Sequence, residues 1–412
     1  MSAVTDSERP ARRDRTATDL GGWFLLVAVG LAAVALVGTP AGGRVPPFLA
    51  GYRFAPSPWL GAAAALAAAV VGGQVALSRS GRRPPFALVQ AIGYLTALGW
   101  ALALGAGRRT APTNPVTGSP WGYLRDFVDR YAGTADGHPP GAGLLVWTID
   151  RLGLPGTVTV TALGALAVPM LLGAARNICG ETAARGFAPI LVLAPYGAFL
   201  AGATDGVAAA LGAGLVAAGA RASDRRRTGW PATGWALLAG LLLGLAALLN
   251  YPTVWLGGCV VLLYFARRRA FLNLATGLGA LVVPVVATTG GYAWTAGLVA
   301  ARGSTGQSLW WGAIGLLTLL ILAGPPVFTS LRRVRNTPAW PCLVGAGFAV
   351  AFTVFGGFAG DDVETAWLPF FGWLTIAVTA PRTQAGPPVP VPLLLAGSGA
   401  LVGLLVAAGA PS

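Results

Sequence analysis

GGWFLLVAVGLAAVALVG, residues 21–38, contains no charged or hydrogen-bonding side chain apart from its one indole. A helix of about twenty apolar residues crosses a bilayer core of about 30 Å, so this stretch reads as a membrane span. It is preceded by RPARRDR, residues 9–15, whose basic character is that of a signal-peptide start. No small-residue cleavage site follows, and further spans do, so the reading is an uncleaved first helix after a basic cytoplasmic tail at 1–20.

The same pattern recurs along all 412 residues, which are 55% hydrophobic and only 10% charged. Spans are expected near 21–38, 59–77, 86–106, 155–172, 187–201, 207–220, 233–249, 251–265, 271–290, 309–328, 340–355, 367–380 and 391–408. The fold class is therefore all-α, a polytopic membrane protein of about 11–13 spans forming one transmembrane domain over 21–412. A large outer loop at 107–154 follows the third span, and a second outer loop lies at 356–366.

All 28 basic residues are Arg, and the Ala-, Gly- and Pro-rich composition suggests a GC-rich bacterial genome. With the amino terminus inside, the Arg residues collect in the inner loops, as cytoplasmic loops require. The outer loops hold only Arg44, Arg53, Arg108, Arg109, Arg125, Arg130, Arg151 and Arg302, balanced by eight acids, so the whole net charge of +14 lies on the inner face. Topology accounts for the charge, and no nucleic-acid partner is needed. Cys179, Cys259 and Cys342 have neither zinc nor disulfide spacing and read as buried thiols.

The polar chemistry gathers in the outer loops. WGYLRDFVDRYAG (121–133) reads as a short helix with Leu124, Phe127, Val128 and Tyr131 on an apolar side. Asp126 and Asp129 share a face three residues apart; equally, Arg125 with Asp129 and Asp126 with Arg130 form i,i+4 pairs on a solvated surface. His138, the single histidine, stands in a GHPP turn stiffened by two prolines, suited to proton transfer or to a plain turn hydrogen bond. GAGLLVWTIDRLGLPG (141–156) follows as an amphipathic segment at the interface. GDDVETAWLPF (360–370) adds Asp361, Asp362 and Glu364, GATDG (202–206) adds Asp205, and LNYPT (249–253) is a further polar outer turn. No ligand spacing defines a metal centre, although a divalent cation at these acids stays open.

In order, YLRDFVDRY, GHPPG, LLVWTIDRLGLPG, APYGAFLAGATDGVAAALGA, GLLLGLAALLNYPTVWL and VETAWLPF resemble actinobacterial integral membrane proteins of the GT-C glycosyltransferase superfamily. The resemblance runs over about 121–270, with a separate match at 361–371. It implies a protein-mannosyltransferase-like enzyme of the cell envelope that takes a mannose- or arabinose-like sugar from a polyprenyl phosphate. The acceptor would be an extracytoplasmic glycan, lipid, protein or metabolite, and the active site would face outward from the cytoplasmic membrane. Asp126, Asp129 and His138 become the catalytic candidates, with Asp126 the expected base and Asp129 its runner-up. Arg125, Arg130, Arg302, Asp205, Tyr251, Asp361, Asp362, Glu364 and Trp367 become candidates for donor and substrate binding. Relatives carry an Arg where this chain has Thr365. Either Arg125, Arg130 or Arg302 supplies that charge, or donor binding is altered.

Two other classes compete. A solute transporter or lipid flippase would show internal repeats and broken helices with mid-membrane charges, and neither is evident in the sequence. A non-catalytic scaffold of the same fold would explain the missing Arg.

Overall fold

The computed structural model describes residues 16–38, 45–46, 48–49, 52–106, 112–131, 138–302, 305–380 and 390–410. The basic tail at 1–15, the glycine before His138, Asp136, Arg44, Arg108, Arg109, Arg382 and most of the proline-rich link before the last span lie outside the described residues.

The chain is a helical membrane protein. Among the described residues seven helices are long and apolar enough to cross a membrane, an eighth if one bent pair counts as a single span, and three shorter apolar helices accompany them. In chain order the helices are α1 (Thr16–Val37), α2 (Pro58–Ser80), α3 (Phe86–Leu104), α4 (Pro120–Asp126), α5 (Gly141–Arg151), α6 (Gly156–Ala165), α7 (Ala167–Cys179), α8 (Glu181–Val192), α9 (Gly197–Leu200), α10 (Thr204–Ala222) and α11 (Trp230–Leu249). They continue as α12 (Gly257–Ala266), α13 (Leu272–Thr289), α14 (Trp294–Ala300), α15 (Thr305–Ala323), α16 (Pro326–Arg332), α17 (Trp340–Phe355), α18 (Val363–Ala366), α19 (Leu368–Thr375) and α20 (Pro390–Ala408). The one sheet among the described residues joins β1 (Arg53–Phe54) antiparallel to β2 (Gly409–Ala410).

Two expected spans are broken, each for a local reason. The stretch 309–328 becomes α15 and α16, bent by 104°. Gly324, at φ +71°, and Pro325 make the corner, because the first accepts a left-handed backbone and the second donates no hydrogen bond. The stretch 187–201 stops at Val192, then turns through Pro195 into the short α9. The expected helix at 121–133 is α4, which continues as a π-helical turn over Phe127–Tyr131. Its apolar side is as the spacing predicts, with Leu124 and Phe127 buried and Val128 and Tyr131 packed beside them.

Helix α10 runs through the middle of the bundle, buried along almost its whole length. It is made largely of Ala, Gly, Val and Leu, so α6, α7, α11, α12 and α19 can all pack against it. Gly164 of α6 meets the backbone of Gly206, which fixes the start of α10 against α6. α11 and α13 approach equally closely, and a Cβ at Gly240 would collide with the Thr276 carbonyl. Helix α1, mostly exposed along its apolar length, is held at its start by Asp19, which pairs with Arg332 at 2.9 Å and accepts from Thr329 at 3.0 Å. The Trp23 indole adds a bond to the Leu320 carbonyl at 2.8 Å.

Loop contacts sort the ends of the helices into two sets. Pro84 meets Arg185, Arg267 binds the Asn177 carbonyl and Ser223, Asp19 meets Arg332, and Arg269 meets the Arg227 carbonyl. At the other end His138, Asp205, Asn250 and Ala366 meet. The residues in each set are those that the Arg distribution assigns to one common face.

Candidate active site

Asp205 is the centre of the second set. It occupies the first turn of α10, where the helix dipole favours a carboxylate, and its side chain is only 4% exposed. The turn that delivers it is fixed by a bond from the Gly202 amide to the Thr161 hydroxyl at 3.0 Å. Such a buried carboxylate is costly unless it is hydrogen-bonded. Two side chains meet that need: Asp205 Oδ2 lies 2.9 Å from His138 Nε2, and Asn250 Nδ2 donates to Oδ1 at 2.7 Å.

Asn250 ends the long apolar run of α11 and caps the 3₁₀ turn Tyr251–Leu256, accepting from the Thr253 amide at 3.1 Å and its hydroxyl at 2.8 Å. Its amide also donates to the Ala366 carbonyl at 3.1 Å, which joins the late acidic loop to α10. In that loop Asp362 is half-buried, near enough to His138 and Asp205 to feel their charges. Burial pushes the Asp362 carboxyl up from 3.8 to about 6; the Asp205 and Asp361 charges add to the rise and His138 opposes it. GHPPG and LNYPT thus meet the carboxylate of ATDG directly, and VETAWLPF joins them through Asn250.

Beside this cluster lies a group of tyrosines. Tyr251 and Tyr292 share a hydroxyl–hydroxyl bond of 2.7 Å, and both are buried. Tyr251 also meets Trp294 edge-on, while Phe127 packs between Tyr123 and Tyr292. α5 leans on this group through Leu144 and Trp147, while its Leu145 and Ile149 face Val160 and Val207. The expected amphipathic segment is thus the strut between the outer loop and α10.

The remaining sequence candidates have other places. Asp126 binds Arg130 at 3.3 Å, with side chains 38% and 72% exposed, so the solvated i,i+4 pair is the arrangement found. Asp129, Arg125 and Arg302 are exposed, and among the described residues no ion pair joins Arg125 to Asp129. Asp361 and Glu364 are half-buried beside Asp362. Trp367 is fully buried against Gly315 of α15, and its indole N–H has no hydrogen-bond partner among the described residues. Thr365, the position where an Arg was expected, turns inward: its amide and hydroxyl both donate to the Asp362 carbonyl, at 2.9 and 3.0 Å. Asn250 was legible only as part of the polar outer turn LNYPT, and nothing in the sequence singled it out as the partner of Asp205. No set of His, Cys, Asp and Glu able to hold a metal occurs among the described residues.

No protein-family model matches the chain, and no curated protein sequence matches it. Among solved structures it is similar to ArnT from Cupriavidus metallidurans bound to undecaprenyl phosphate, with a TM-score of 0.45 and 17% identity over 71% of this chain and 59% of that one. The apo state of the same protein gives a TM-score of 0.44 at 17% identity, over 71% of this chain and 58% of that one. The match thus spans less than two thirds of the ArnT chain.

Proposed function

We propose that the protein is a GT-C type membrane glycosyltransferase that moves a sugar from a polyprenyl phosphate to a hydroxyl acceptor on the outer side of the membrane. The observation that carries this reading is the convergence of His138, Asn250 and the Asp362 loop on the buried Asp205, at the Arg-poor end of the spans. In an inverting transfer the acceptor oxygen bonds the anomeric carbon while the bond from that carbon to the phosphate oxygen breaks. The lipid phosphate leaves with the electron pair, and a base takes the acceptor proton.

Asp362 suits the base, because a carboxyl raised to about 6 is ionised near neutral pH and still holds a proton well enough to accept one. Asp205 orients the His138 ring, and together they position the acceptor hydroxyl, a contribution that counts through geometry. This moves the proton-transfer role away from Asp126 and Asp129, whose surroundings are solvent and Arg130. Arg125, Arg130 and Arg302 remain the candidates for the donor phosphate, since each has an exposed guanidinium that a lipid phosphate can reach.

The test is incubation of membranes with radiolabelled polyprenyl-phosphate mannose and arabinose. Label leaving the donor in wild-type but not Asp362→Asn membranes supports the reading. Failure of every donor, together with solute uptake by vesicles, overturns it.

A further inference from the structure

The other end of the molecule holds a cationic cleft that the proposed transfer does not use. α2 ends at Gly81, whose φ of +65° turns the chain sharply into Arg82, Arg83 and Pro84 before α3 begins. This hairpin and α8 enclose about 320 Å³, lined among others by Leu77, Arg82, Arg83, Val89, Arg185 and Ala188. Arg185 is held in position: it donates to Glu181 Oε1 at 2.6 and 3.0 Å and to the Pro84 carbonyl at 2.7 Å, and its guanidinium lies over the Phe86 ring.

The charges do not cancel locally. Glu181 is already shared by Arg185 and by Arg176 at 2.8 Å. Arg82 and Arg83 are exposed, and no carboxylate pairs with either among the described residues. Leu77, Val89 and Ala188 give the cleft an apolar side, and α3 also exposes Leu88 and Ile92, at 46% and 54%. A cationic mouth above an apolar wall fits an amphiphile with an anionic head better than it fits a free ion, which gains nothing from the wall.

We propose that this cleft binds an anionic phospholipid, with the phosphate between Arg82, Arg83 and Arg185 and the acyl chains along α2 and α3. The site is distinct from the donor-lipid site, because it lies at the Arg-rich end of the helices.

The experiment uses the full chain, purified in mild detergent and exposed to phosphatidylglycerol or phosphatidylcholine micelles, with retained lipid read by intact-complex mass spectrometry and melting by intrinsic fluorescence. The expected result is retention of phosphatidylglycerol over phosphatidylcholine and a raised Tm with the former alone. The double variant R82A/R83A retains phosphatidylglycerol about 10- to 30-fold more weakly, given the attraction of each surface Arg for anionic lipid. Its Tm without lipid matches wild type, and R225A/R226A behaves as wild type throughout. Equal retention by R82A/R83A overturns the proposal, as does equal loss in R225A/R226A. Inorganic phosphate that raises the Tm as phosphatidylglycerol does would also overturn it, by identifying a free-anion site.

Discussion

Asp205 and His138 touch at 2.9 Å although 67 residues separate them in the chain. One comes from the start of a central helix and the other from a proline-stiffened turn, so the contact ties the outer loop to the bundle. Asn250 completes the arrangement from a third element. Removing the carboxylate leaves the Asn250 amide and the His138 ring without their shared partner, at a cost of about 1–3 kcal/mol for each group left unpaired. Asp205→Ala should therefore lower the Tm in detergent markedly, while Asp205→Asn, which keeps hydrogen-bonding capacity, should fold and lose transfer through misplacement of His138. A melt of both variants beside donor turnover checks this; normal turnover by Asp205→Asn would remove the positioning role.

Asp126 and Asp362 make opposite predictions for the same substitution. Asp126→Asn removes an exposed ion pair worth about 0–1 kcal/mol and should leave transfer near wild type. Asp362→Asn removes the proposed base and should slow transfer by roughly 10²- to 10⁴-fold with membrane insertion intact. Label release measured in parallel decides between them, and the reverse ranking would return the base to the outer-loop helix.

The pH response follows from the Asp362 carboxyl, raised from 3.8 to about 6. Below 6 it carries its proton and cannot take another, so the transfer rate should rise as pH passes upward through about 6. Stability runs the other way. The folded chain binds this proton more tightly than the unfolded chain does, so this group's contribution is fully present below about 4 and is lost as pH rises through about 6. A rate–pH profile whose acid limb persists unchanged in Asp362→Asn would assign the limb to another group.

Tyr251 and Tyr292 offer a double-mutant cycle. Each single Phe substitution leaves one buried hydroxyl without its 2.7 Å partner, a loss of about 1–3 kcal/mol. The double substitution removes both hydroxyls together and should cost less than the two singles combined, as seen in urea or thermal unfolding. Additive losses would mean that the hydroxyls do not depend on each other.

Close helix packing gives a test that is independent of chemistry. Gly240→Val would force α11 away from the Thr276 carbonyl, whereas Gly277→Val meets open space on the same pair of helices. The first should reduce the folded yield in detergent and the second should not.

Much of this architecture was legible in the sequence because membrane helices advertise themselves through length and hydropathy, and loops through their Arg content. Those local signals predicted which loops share a face, and the contacts of Arg267 and Arg332 agree. The motifs that meet at Asp205 were each visible too. Their convergence was not. The i,i+3 spacing drew attention to Asp126 and Asp129 but carried no sign of the burial of Asp205, which depends on α6, α11 and the 362–366 loop closing around α10. The corner at Gly324 was likewise hidden, since an apolar run through AGPPVF has a span's hydropathy whatever direction it takes.

The short pairing of Arg53 with Ala410, reinforced by the Ala55 amide on the Ala408 carbonyl, has a bearing on biogenesis. Helices leave the insertion machinery in chain order, so the segment ahead of α2 must wait through the synthesis of every later span before its partner exists. α20 also packs on α2 and α8, which wait with it. α20 therefore joins helices made much earlier in the chain, and a chain halted before α20 would leave the packing faces of α2 and α8 open to the bilayer.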